Sequence, residues 1–445
     1  MSKLSPAQLV AGSFAFFILV GTMLLLLPVS SAKDTSFVTA LFTATSAVCL
    51  TGLVVVDTAS DWTHFGQFVI MMLIQIGGLG IMTLATIASW VIAGQIGVKS
   101  RLNASAEGRG AQLGDVKTLL LATLSFTFAV ELVLTITLTL RFHAHYAMHW
   151  PQALWWGTFH AISAFNNAGF SLHSDNLMPF AADGGILFPV AASLIVGGVG
   201  FPVLLELALR VRRRTQGVKV LPKVSMTTVI VLWGTAILLV LGTLGFAVFE
   251  WNNALAGQST GQKWMSAFFQ SASTRTAGFN SVDFGQFRPA SLMMTDLFMF
   301  IGGGSGGTAG GVKITTVGVL VAIMISEVRG DEYTLFHERR IPNKSMRQAM
   351  AVLMLGASVV MAFIMLVQVL APQFSTHQIV FEVISAFGTT GLSTGITPHL
   401  PQSVMLILTV LMYAGRIGPI TLVAAMAGRD HRRLFKYPVE RPLIG

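Results

Sequence analysis

The segment Ser385–Leu392 reads SAFGTTGL, and the chain carries its pattern three more times: SAVCLTGL at Ser46–Leu53, SAFNNAGF at Ser163–Phe170 and ASTRTAGF at Ala272–Phe279. The glycines Gly52, Gly169, Gly278 and Gly391 are 117, 109 and 113 residues apart, and each precedes Leu or Phe. Roughly 24 to 28 residues further on come GGLG (Gly77–Gly80), GGVG (Gly197–Gly200), GGGS (Gly302–Ser305) and GRIG (Gly415–Gly418). One unit used four times at a near-constant period marks a repeat architecture.

Outward from these loops the chain is apolar. Runs near the ~20 residues that cross a bilayer cover Ala7–Pro28, Phe65–Ala93, Thr118–Leu140, Ile186–Leu209, Met226–Phe249, Leu292–Ser326, Met350–Leu370 and Val404–Met426. With 53% apolar and 11% charged residues and a mean hydropathy of +0.71, the chain reads as an all-α integral membrane protein with eight transmembrane helices. The first run is not read as a signal peptide: it is too long, only Lys3 precedes it, and no small-residue cleavage site follows. The single cysteine, Cys49, excludes an internal disulfide. The net charge of +9 reflects membrane insertion rather than nucleic-acid binding. Lys and Arg gather in segments 94–117, 209–225, 327–347 and 428–445, which the positive-inside rule makes cytoplasmic together with both termini.

The repeat unit is thus helix, re-entrant loop, helix, with boundaries at 1–100, 101–215, 216–335 and 336–445, the unit that the resemblance given below makes M1-P-M2 around one pore. Non-helical backbone at membrane depth must be buried in protein or line a water-filled cavity. Four glycine loops around a pseudo-fourfold axis do both, with carbonyls turned inward to replace water around a cation. Such loops can also pack a transporter core without touching an ion, but four equivalents at one spacing favour the axis. A broken-helix secondary transporter for another cation or a small solute is the second class, although those folds use two inverted repeats. No HExxH, GxSxG or paired membrane aspartates point to an enzyme.

These loops, STRTAGF above all, the glycine-rich break in the third repeat and Arg416 in the last run together resemble the Trk/Ktr/HKT superfamily of potassium transporters. The resemblance spans nearly the whole chain, and its length is similar to that of the Ktr membrane subunit rather than the larger Trk one. It implies potassium uptake across a bacterial plasma membrane, with Na+ as a second candidate ion and no organic cofactor in this chain. It also implies a homodimer on a cytoplasmic nucleotide-binding regulatory ring of KtrA/TrkA type. Carried onto this sequence, the K+ selectivity filter would be Leu50, Thr51 and Gly52; Asn167, Ala168 and Gly169; Thr276, Ala277 and Gly278; and Thr389, Thr390 and Gly391. Cys49, Asn166, Arg275 and Gly388 would form its innermost layer. Against the TVGYG loop of tetrameric channels only the glycine and some hydroxyls persist, so weaker Na+ exclusion is expected.

The stretch Ile301–Thr316, IGGGSGGTAGGVKITT, holds seven glycines in sixteen residues and cannot sustain a helix. It is no phosphate-binding loop, because Val312 separates Gly311 from Lys313. The resemblance makes Gly302, Gly303, Gly304, Ser305, Gly306, Gly307, Thr308, Ala309, Gly310, Gly311 and Lys313 a gating loop across the pore, with Arg416 facing it. A tight helix-packing stripe is the alternative for the loop, and a structural salt bridge the alternative for Arg416. Arg275 is expected to point outward behind the filter, with Glu382 and Glu131 as candidate partners. Glu131 itself is better read as a carboxylate tied to neighbouring backbone or hydroxyls than as an ion-coupling one. Asp57, Asp175 and Asp283 follow the first three filter glycines closely and suit an outer mouth or loop caps. His143, His145 and His149 read as a solvated cluster rather than a metal site, and Cys49 as a packing residue.

Overall fold

A computed structural model describes residues 6–94, 116–218 and 223–418; the basic segment 428–445 and the end of the run Val404–Met426 lie outside them. The architecture is helical, apart from a two-residue hairpin pairing Leu335–Phe336 with Arg339–Arg340. In order the helices are α1 (Pro6–Leu25), α2 (Phe37–Val48), α3 (His64–Gly94), α4 (Val116–Tyr146), α5 (Trp150–Phe165), α6 (Gly184–Val199) and α7 (Phe201–Thr215). They continue with α8 (Met226–Glu250), α9 (Thr260–Ser273), α10 (Pro289–Phe300), α11 (Ile314–Arg329), α12 (Asn343–Leu370), α13 (Thr376–Gly388) and α14 (Gln402–Ile417).

Local chemistry starts the short helices. Ser36 accepts a hydrogen bond from the Thr39 amide at the head of α2, and Ser259/Gln262 and Ser375/Gln378 form capping boxes on α9 and α13. Their ends are buried among small residues: Ala44 and Ala47 in α2, Ala161 and Ala164 in α5, and Ala267 in α9 are shielded from solvent. Among the described residues, three helices are by length and composition able to cross a membrane: Leu120–Tyr146, Met226–Glu250 and Asn343–Leu370. Their outer sides carry exposed Val133, Trp233, Val248, Met354 and Val369, the surface that lipid requires. Apolar helices that are shorter by the same measure run over Val10–Leu25, His64–Gly80 and Gln402–Ile417.

One expected span is not straight. The run Ile186–Leu209 divides at Gly200, and α6 and α7 meet there at 98°. Gly200 has φ +95°, a conformation that only glycine adopts without strain, and Pro202 starts α7 in its first turn. Periodicity missed the bend because both halves are apolar.

The packing closes on itself. Each short helix lies against the long helices beside it in sequence, and then against a helix of the preceding unit: α5 on α3, α9 on α6, α13 on α10 and α2 on α14. Helices at the start and end of the chain therefore touch, which draws the four glycine loops to the centre.

Candidate ion pathway

The four loops meet at their glycines. A side chain built on Gly52 would strike the Ala168 carbonyl, one on Gly169 would meet Gly278 and the Ala277 carbonyl, one on Gly278 the Thr390 carbonyl, and one on Gly391 the Thr51 carbonyl. The contacts run from the first loop to the second, third, fourth and back to the first, so the ring is complete. All four glycines line one cavity of about 240 Å³.

The backbone has the same hand in every loop. Leu50, Asn167, Thr276 and Thr389 have φ of 55°, 55°, 66° and 48°, and the glycines two places later 87°, 72°, 76° and 86°. The intervening residues are not left-handed, and such alternation turns successive carbonyls to one side, the geometry of a cation-binding ladder. Left-handed backbone is costly for non-glycine residues, and buried serines hold it in place. Ser46 Oγ donates to the Leu53 carbonyl at 2.7 Å, Ser163 Oγ to that of Phe170 at 2.8 Å, and Ser273 Oγ to that of Phe279. Ser385 Oγ accepts from the Gly391 amide at 3.0 Å, as Ser46 Oγ does from Gly52. Thr51, Thr276, Thr389 and Thr390 are fully buried, and their hydroxyl oxygens meet no hydrogen-bond partner in the described chain. Orphaned oxygens beside a carbonyl ladder suit a hydrated or partly dehydrated cation.

The second set of glycines supports the first. Side chains on Gly77, Gly197 and Gly415 would strike the carbonyls of Val48, Phe165 and Phe387, at the ends of α2, α5 and α13. Close approach there brings the inner helices up to the loops.

Below the ring, the helix of the third unit is interrupted from Ile301 to Lys313. The interruption has a neck and a tip. The Gly302 amide donates to Val312 at 2.8 Å, and Val312 to Phe300 at 3.2 Å. The tip docks on the elbow between α6 and α7: Gly304 donates to the Gly198 carbonyl, Thr308 to that of Gly197, and the Phe201 amide to that of Gly306. Gly310 and Gly311 lie against Gly388 and Thr389, at the inner end of the fourth loop. Arg416 donates to the Thr308 carbonyl and Lys313 to that of Ala309. Among the described residues neither cation forms an ion pair with a carboxylate. The interruption thus lies against the fourth loop, with two basic side chains bonded to its carbonyls.

The family model described as "TrkH: Cation transport protein" matches residues 7–433. The chain belongs to the TrkH family of cation transport proteins. It is 38% identical over 442 residues to the Ktr system potassium uptake protein B of Bacillus subtilis, covering 98% of this chain and 96% of that protein. It is 35% identical over 451 residues to the potassium/sodium uptake protein NtpJ of Enterococcus hirae, covering all of this chain and 98% of that one. The crystal structure of the potassium transporter TrkH from Vibrio parahaemolyticus superposes with a TM-score of 0.72 at 18% identity, over 95% of this chain and 85% of that one. This TrkH family member is a transporter by descent, not an enzyme.

Other expected residues fall differently. Arg275 does turn away from the ring, but neither Glu382 nor Glu131 receives it: its guanidinium donates to Thr235 Oγ1 of α8 at 3.1 Å. Glu382 is taken by Ser393, by Thr397 at 2.7 Å and by the Thr394 amide at 3.1 Å. Glu131 accepts from Gln75 at 3.2 Å and from Asn166 Nδ2 at 3.1 Å, which ties the second loop's innermost residue to α3 and α4. Asp57, Asp175 and Asp283 all line the cavity that the four glycines share. Asp57 also accepts from Ser174 at 2.6 Å and Asp283 from the Gly285 amide at 2.8 Å, so the mouth and loop-bracing readings coincide. In the histidine cluster His143 stacks on Trp150 with ring centroids 4.0 Å apart. Sequence reading missed the bracing serines, although three of them open the quoted motifs; the signal was a serine five or six residues before the glycine.

Proposed function

We propose that this protein is the membrane pore of a potassium uptake system and that K+ passes through the ring of four glycine loops. The single observation that carries the reading is the cyclic contact of Gly52, Gly169, Gly278 and Gly391 along one cavity. Relatives named for potassium and potassium/sodium uptake support the choice of ion and keep Na+ as the competing one. In this reading the filter is Leu50–Gly52, Asn167–Gly169, Thr276–Gly278 and Thr389–Gly391, with Cys49, Asn166, Arg275 and Gly388 innermost. Arg275 contributes only backbone, since its side chain leaves the axis. The loop 302–313 with Arg416 is the gate: it occupies the path, and its two cations oppose a passing cation by several kcal/mol at close range.

The same reading assigns four M1-P-M2 units, with α6 and α7 as the bent second helix of unit two and α10 and α11 as the broken one of unit three. It gives eight spans, with both termini on the cytoplasmic side of the plasma membrane. It further assigns a homodimer and a separate nucleotide-binding cytoplasmic ring, a reading that the Ktr kinship supports, with nucleotide binding left to that partner because the connections of this chain are short. The test is ion flux from liposomes holding the purified protein, with K+ and Na+ gradients set independently. Flux of K+ in preference to Na+ is expected; equal indifference to both ions, or uptake of neither, would overturn the reading.

A further inference from the structure

One basic element is not absorbed by the pore. Helix α7 leaves α6 at 98°, so if α6 crosses the bilayer near its normal, α7 runs close to the membrane plane. Its sequence, FPVLLELALRVRRRT, has the composition of an interfacial helix: apolar residues followed by three successive arginines. Arg212 and Arg214 are exposed, and so are Leu209 at 40% and Val211 at 64%. Leu204 and Leu207, by contrast, pack inward on Val199 and Val231. Exposed apolar side chains interleaved with arginines suit the boundary between acyl chains and anionic headgroups.

The helix is also wired to the loop. Its first amide, on Phe201, bonds the Gly306 carbonyl, and the two residues before its hinge glycine lie within reach of Gly304. Glu206, one turn along, clasps α8 by accepting from the Ser225 amide at 2.7 Å and Ser225 Oγ at 2.6 Å. Any shift of α7 relative to the membrane therefore acts on both the tip of the loop and the start of α8.

We propose that α7 is an anionic-lipid-binding helix, held at the bilayer surface by Arg212–Arg214 and by Leu209 and Val211, and that its engagement biases the loop 301–313. A regulatory protein could also meet arginines, but a protein interface does not require a helix turned into the membrane plane with apolar residues flanking the charge. Charge complementarity and this orientation favour lipid headgroups. The inference rests on the pore reading only for its effect on flux; lipid binding itself can be measured apart from transport.

The test is hydrogen exchange of residues 201–218 in the full-length protein, in nanodiscs of phosphatidylcholine alone or with phosphatidylglycerol added. Both leaflets are then equal, so the outcome does not depend on sidedness. Exchange of α7 should slow several-fold when phosphatidylglycerol is present, and the glycine loop should change its exchange in the same samples. The triple variant R212Q/R213Q/R214Q should lose the lipid response, whereas R212K/R213K/R214K should keep it, which separates lost charge from lost folding. Exchange indifferent to phosphatidylglycerol in the wild-type protein would overturn the proposal. So would protection that arises only on adding a cytoplasmic protein partner, which would make α7 a protein-docking surface. If α7 responds to lipid while K+ flux does not, lipid binding stands and the link to the gate is refuted.

Discussion

Two glycine-rich, non-helical stretches lie at the centre of this molecule and differ in how they are held. In the ring, four loops press on one another through their glycines, and buried serines brace three of the carbonyls that follow them. In the loop 301–313, a two-bond neck leads to a tip that rests on the carbonyls of the α6–α7 elbow. It is further tied by the long, rotamer-rich side chains of Arg416 and Lys313. In the first case glycine lets backbone adopt a left-handed form that the surroundings then over-determine. In the second it lets backbone pass through a space too crowded for side chains. The same residue serves a special backbone turn in one place and close packing in the other.

The largest effect should follow from breaking the rigid member. Gly278→Ser and Gly391→Ser place a Cβ on a neighbouring carbonyl at φ +76° and +86°, so carbonyl placement shifts in the loop and in its neighbour together. The K+/Na+ permeability ratio should fall about tenfold or more, the scale of ~1.4 kcal/mol lost in discrimination. Bi-ionic flux measurements check this, and unchanged ratios in both variants would remove the ring from the filter role.

If the loop 301–313 is the gate proposed above, shortening it should do the opposite. Gly303 and Ala309 face each other closely, with a Cβ on the former 2.7 Å from that of the latter, so excising Gly304–Thr308 leaves ends that can rejoin. K+ flux per protein should rise several-fold while the permeability ratio is kept. A well-folded deletion with flux unchanged or lower would make the stretch a packing element.

Arg416→Ala sharpens the contrast at one side chain. It removes a charge and the bond to Thr308 in one step, and flux should rise about two- to fivefold, since part of the barrier stays with Lys313. Flux falling in a variant of normal abundance would mean that Arg416 is structural.

The smallest effect concerns the ring's support. Glu131→Gln keeps the size of the side chain but replaces an oxygen acceptor to Asn166 or Gln75 by a second donor, a change worth about 1 kcal/mol in a buried pair. Selectivity should decline about two- to threefold with K+ flux nearly intact. A variant equal to wild type in the permeability ratio would show that the second loop is held by backbone alone.

How much of this was legible depended on where the signal lay. The four glycines, their spacing and the small residues beside them stand in the linear text, because each makes the same local backbone turn in every unit. The bend at Gly200 could not be read the same way, because apolar composition continues through it and only the partner surface decides where a helix of apolar residues turns. Arg275 shows the limit from the other side: its neighbours in the motif placed it at the ring, yet the carboxylates that seemed natural partners were satisfied locally by Ser393, Thr397, Gln75 and Asn166. A hydroxyl on α8 received it instead.

By itself, then, the amino-acid sequence determined the membrane class, the repeated unit, the glycines at its turns and the stretch that no helix could hold. Those are consequences of hydropathy and backbone sterics, which act over a few residues. Only the tertiary structure decided that the loops meet in cyclic order, that the glycine run docks on the elbow of the second unit, and which polar groups pair inside the membrane. Contacts between residues a hundred positions apart depend on how helices pack, and in a medium without water each buried polar group takes the nearest partner that packing provides.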